Sequence, residues 1–140
     1  MTAEVARAPL GQAHVRLVPG RLASRRARRL VRNTCAGAGL TTAAVEHAAL
    51  IIGEFVTTSA RQQRDTMDVS VSIGDRDITV RIHDHGTTPP VNGADGVASS
   101  PIWHAVRRLS CSWGYSAGLG ERELWASVRH HPAELQPGGA

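Results

Sequence analysis

The chain has 140 residues, 41% of them apolar, and carries a net charge of +4 in which every basic side chain is an arginine. A chain of this length closes one hydrophobic core without needing disulfide or metal staples. No apolar run approaches the roughly 20 residues that span a bilayer, and residues 1–20 lack the unbroken apolar stretch of a signal peptide, so the expected place is the cytoplasm.

The two cysteines, Cys35 and Cys111, are far apart and lack ligand-like spacing, and are expected to be reduced, buried thiols. A positive chain invites a nucleic-acid reading, because arginines neutralise phosphates and release counterions. The distribution points elsewhere. Arg25, Arg26, Arg28, Arg29 and Arg32 share a predicted helix with Ala27, Leu30, Val31, Thr34 and Cys35, which is the pattern of an amphipathic helix packed on a core. Its arginine face reads as solvated, with a binding surface for nucleic acid or an acidic protein as the competing reading. With only three Trp, one Tyr and one Phe, the chain has no set of aromatics on which bases would stack.

In chain order, a short edge strand is expected over His14–Val18, closed by Pro19-Gly20. The arginine helix starts with Ser24 as N-cap and stops near Gly37 and Gly39. Thr41 or Thr42 caps a second helix running to about Gln63, with apolar residues at Val45, Ala48, Ala49, Ile52 and Val56 at helical spacing. Two alternating strands follow, Met67, Val69, Val71 and Ile73 on one face of the first and Ile78, Val80 and Ile82 on that of the second, joined by a turn at Gly74-Asp75-Arg76-Asp77. A mobile loop is expected from His85 to Ser99, then a third helix opened by Ser100-Pro101 and reaching about Ser110. Strands at 112–116 and 121–129 and a frayed tail at 132–140 complete the pattern. Amphipathic helices beside strands with one apolar face make a two-layer α/β sandwich: a mixed, mostly antiparallel sheet covered on one face by about three helices. The expected organisation is a flexible segment 1–13, one domain 14–130 and a flexible tail 131–140.

Asp84 continues the alternation of Ile78, Val80 and Ile82, so its carboxylate falls on the buried face. A buried charge needs a donor. A backbone cap inside the protein and the amino group of a bound ligand such as adenine both fit. His83 and His85 point to the opposite face and have the spacing of a metal-chelating pair, but no third ligand is evident, which favours ordinary surface histidines. Glu54, Thr58 and Arg61 line up on the second helix. Glu54 has the chemistry of a general base, the plainer alternative being an ion pair with Arg61 or another arginine.

The run Gly53-Glu54-Phe55-Val56-Thr57-Thr58-Ser59-Ala60-Arg61, with Asp84-His85-Gly86, Pro89-Pro90, Trp113-Gly114 and Leu124-Trp125-Ala126 in that order, resembles the histidine-kinase-like ATPase family, in particular its actinobacterial anti-sigma regulatory kinases. The resemblance spans about Val15 to Val128 and implies a Bergerat-type ATP-binding fold. It also implies that Glu54 is the catalytic base, that Asp84 bonds the adenine amino group, and that Gly86 lets the backbone approach the base. Thr58, Arg61, Asp84, Gly86 and Ser100 would be the nucleotide-facing positions, and Thr58 the metal position.

The chain departs from the family pattern at two places. Thr58 stands where the family has the Asn that binds magnesium, and one hydroxyl is a poorer ligand for that ion. Ser100-Pro101-Ile102 stands where a Gly-x-Gly would cradle phosphates with backbone N–H groups, and Pro101 has none to offer. The implied function is an anti-sigma-like regulator that binds a sigma factor or an anti-sigma antagonist, with ATP and magnesium binding weak or lost. The alternatives are an active ATP- and magnesium-dependent serine/threonine kinase of an antagonist, and an arginine-rich nucleic-acid binder. Relatives of this kind often dimerise, which leaves a homodimer open.

Overall fold

A computed structural model describes residues 10–86 and 102–130. The elements run β1 (Gly11–Leu17), α1 (Ala23–Cys35), α2 (Thr42–Arg61), β2 (Thr66–Ile73), β3 (Asp77–His85), α3 (Ile102–Leu109), β4 (Ser112–Gly118) and β5 (Glu121–Arg129). The five strands form one sheet in the order β1-β2-β3-β5-β4. Every pairing is antiparallel, so the parallel contribution expected of a mixed sheet is absent among the described residues. The three helices cover one face, as expected.

The period-two pattern explains the sheet. Met67, Val69, Val71 and Ile73 on β2 and Ile78, Val80 and Ile82 on β3 are all buried, and the register pairs Val69 with Ile82 and Val71 with Val80. Each such side chain contributes about 1.5–3 kcal/mol on leaving water. The intervening turn closes with the Gly74 N–H donating to the Asp77 carbonyl at 2.8 Å. β1 begins at Gly11, three residues before the expected His14. β3 runs through His85, where a loop was expected.

Helix α1 buries Ala23, Ala27, Val31 and Cys35 at four-residue spacing. It starts one residue before the expected cap. Leu22 occupies the N-cap without a side-chain bond, and the Ser24 hydroxyl instead donates to the Gly53 carbonyl of α2 at 3.2 Å. α1 ends at an extended Ala36, and Gly37 (φ 79°) and Gly39 (φ 75°) take left-handed conformations in the turn that follows. Thr41 caps α2 by accepting from the Ala44 N–H at 3.4 Å. α2 is central, packing on α1, β3, β5 and α3. α3 is anchored through Trp103, buried against Phe55 (centroids 6.1 Å apart) and Trp113 (4.5 Å).

Cys35 is a buried free thiol, but Cys111, also free, is exposed, against expectation, just before the edge strand β4. No helix among the described residues is long and apolar enough to cross a membrane. Most of the expected loop after Gly86, together with Ser100, Pro101 and the tail, lies outside the described residues.

Candidate functional site

The C-terminus of α2 shapes the site. The Gln63 N–H donates to the Ala60 carbonyl at 3.1 Å and the Arg64 N–H to the Ser59 carbonyl at 3.2 Å, the bond pair of a Schellman motif. The motif requires a left-handed residue, and here that residue is Gln63, at φ 57°. This reversal sends Arg64 back under the end of the helix, where its side chain is fully buried.

Arg64 meets Asp84 there. Its Nε donates to Asp84 Oδ1 at 3.0 Å, and its Nη2 donates to the Gly120 carbonyl at 3.1 Å. From the opposite side Arg122, also fully buried, donates to Asp84 Oδ2 through Nη2 at 2.7 Å and through Nε at 3.2 Å. The Ser59 hydroxyl donates to the same oxygen at 2.6 Å and accepts from Arg122 Nη2 at 3.3 Å. Arg122 Nη1 donates to Gln62 Oε1. Asp84 is thus a buried carboxylate clasped by two guanidiniums and a hydroxyl, drawn from α2, its C-terminal turn and β5. Buried charges are tolerated when paired and hydrogen-bonded in this way.

Of the two origins open for the Asp84 donor, the structure supplies one inside the protein, and it consists of side chains rather than a backbone cap. Gly86 lies against the same cluster: a Cβ there would sit 3.1 Å from Arg64 Nη1, so the close approach the glycine permits is to the chain's own arginine. Thr58 is half-buried on α2, next to Ser59. Glu54 and Arg61 are exposed and form no ion pair with each other among the described residues. Asp84, Gly86 and the segment next to Thr58 come together, whereas Glu54 and Arg61 stand apart in solvent. Ser100 lies outside the described residues.

The sequence reading missed Ser59, Arg64 and Arg122. For Arg122 the signal was present: it extends the alternation of Leu124, Ala126 and Val128 back onto the buried face of β5, just as Asp84 extends that of Ile78, Val80 and Ile82, and the two residues are cross-strand partners. Opposite charges on the apolar faces of adjacent strands are a legible ion pair. Arg64 had no such signal, because it follows a helix end whose geometry depends on a left-handed glutamine.

A second surface lies at the start of α1. Residues from Leu17 to Arg28 line a cavity of about 820 Å³. Arg25, Arg26 and Arg29 are exposed, and Val18 and Leu22 are exposed beside them at 66% and 58%. Arg32, further along, is held by a two-bond pair with Glu46 at 2.9 Å.

No protein-family model matches the sequence, and no curated protein does. Among solved structures the chain is similar to the crystal structure of the RsbU and RsbW domains of Rv1364c from Mycobacterium tuberculosis, with a TM-score of 0.66 and 18% identity over 91% of this chain and 35% of that one. At that identity the likeness shows the fold alone: the two-layer arrangement that the resemblance to histidine-kinase-like ATPases implied. The chain spans about a third of the length of that neighbour.

Proposed function

We propose that this protein is an anti-sigma-type regulator that works by binding a protein partner, a sigma factor or an anti-sigma antagonist, rather than by turning over nucleotide. The observation that carries this reading is the state of Asp84. The carboxylate that would receive the adenine amino group is occupied by Ser59, Arg64 and Arg122, and a nucleotide base would have to displace charge-assisted hydrogen bonds in a buried setting. Thr58 in place of a magnesium-binding Asn adds to the same reading. The likeness to a structure containing an RsbW domain supports the partner class.

The α1 entry is the surface best suited to that partner. Exposed arginines beside exposed Val18 and Leu22 combine long-range attraction for an acidic surface with apolar contact area.

The test is a calorimetric titration of the protein with ATP and ADP, with and without magnesium, alongside a Thr58→Asn variant, followed by binding assays against the sigma factors and antagonists of its own organism. Absent nucleotide binding together with a sigma or antagonist complex is the expected result. Magnesium-dependent ATP binding by the unmodified chain would reinstate the kinase reading and make Glu54→Ala the next variant. Failure to bind any such partner would overturn the proposal.

A further inference from the structure

We propose that Asp68, His83 and His85 bind one divalent transition-metal ion of the zinc class on the open face of the sheet, opposite the helices. The sequence offered His83 and His85 as a pair without a third ligand; strand pairing supplies it. Asp68 on β2 is the cross-strand partner of His83 on β3, and one ligand atom from each of Asp68, His83 and His85 lies within 4.8 Å of the others. Asp68 and the two histidines all point away from the core, since their neighbours Met67, Val69, Ile82 and Asp84 point into it.

The spacing suits the ion. Zinc bonds of about 2.0–2.2 Å to nitrogen and oxygen set the edge of a tetrahedral site at roughly 3.3–3.5 Å. His85 Nε2 and Asp68 Oδ2 are already 3.3 Å apart, and the two imidazole centroids are 4.5 Å apart. Small side-chain rotations would close the remaining edges, and all three groups are part-exposed. Two imidazoles and one carboxylate select zinc, cobalt or nickel over magnesium or calcium, which prefer oxygen ligands. Glu121 on β5 lies beside the cluster, its Oε2 3.5 Å from His83 Nε2, and adds negative charge within reach of a fourth position.

One cation competes. Arg16 on β1 donates to Asp68 through Nε at 2.8 Å and Nη2 at 3.2 Å. Its side chain is 66% exposed, so it can swing into solvent, and exposed pairs of this kind are weak enough for a metal ion to displace. The site is independent of the anti-sigma reading, because it uses the face that Asp84 does not.

The test is titration of the metal-free full chain with zinc chloride by calorimetry and with cobalt chloride by visible ligand-field absorption. One ion per chain is expected. His83→Gln, His85→Gln and Asp68→Asn should each weaken binding by at least the roughly 10–100-fold that loss of an outer-shell partner costs. Arg16→Ala should tighten it, an effect that a merely structural role for these residues would not produce. His14→Gln, on the exposed face of β1, should leave it unchanged. No saturable binding, or binding that survives the His83→Gln/His85→Gln double variant, would overturn the proposal; in the second case other histidines hold the metal.

Discussion

Replacing Asp84 with alanine tests the central feature of the fold. The change leaves two fully buried guanidiniums without their shared carboxylate and leaves Ser59 without its acceptor. Removing one partner of a buried pair costs about 3–5 kcal/mol, much of it from the charge left behind. Against a total stability on the order of 5–15 kcal/mol, that is about a fifth of the whole or more. For a domain of this size each kcal/mol shifts Tm by about 3–5 °C, so the expected fall is about 10–25 °C, read by thermal unfolding and checked by a denaturant series at constant m. The double variant Asp84→Ala/Arg122→Leu should recover part of the loss, since removing both charges is less costly than removing one. The opposite result is equally informative. A fall of less than about 3 °C, corresponding to under 1 kcal/mol, would mean that Asp84 does not hold the arginines and would return it to the role of an open ligand for adenine.

Other outcomes follow from the same structure. Gln63→Gly should stabilise the protein by a few tenths to about 1 kcal/mol, because glycine takes the left-handed C′ position of the α2 Schellman motif without a Cβ penalty; chemical denaturation would show it. One thiol should react rapidly with iodoacetamide and one only on unfolding: Cys111 is exposed, whereas Cys35 is buried and its thiol pushed up by that burial, with mass spectrometry of the labelled peptides as the readout. Asp68 is held below its usual pKa chiefly by the Arg16 hydrogen bond, so its contribution to stability is complete above about pH 4 and is lost as pH falls through the lowered folded value. Arg16→Ala should therefore destabilise slightly at neutral pH, and the difference from the unmodified chain should close on acidification, as urea unfolding at several pH values would show.

Apolar periodicity was enough to place most of the framework. The β2 and β3 alternation, the four-residue spacing along α1, the Thr41 cap and the Gly37 and Gly39 turn are local features, governed by residues within a turn or two of one another, and each appears at or within a few residues of its expected place. The ordered set of short motifs pointed to the two-layer architecture for the same reason: it reports the succession of elements. Local patterning also put Asp84 on the buried face and His83 and His85 on the open one. What answers that buried charge, and what stands beside those histidines, depends on strand order and register. Arg122 lies 38 positions from Asp84 and becomes its neighbour only because β5 inserts between β3 and β4. Arg64 reaches it only because Gln63 reverses the chain, and Asp68 meets His83 only through the β2–β3 register. Such contacts are set by long-range pairing, and no window of neighbouring residues contains them.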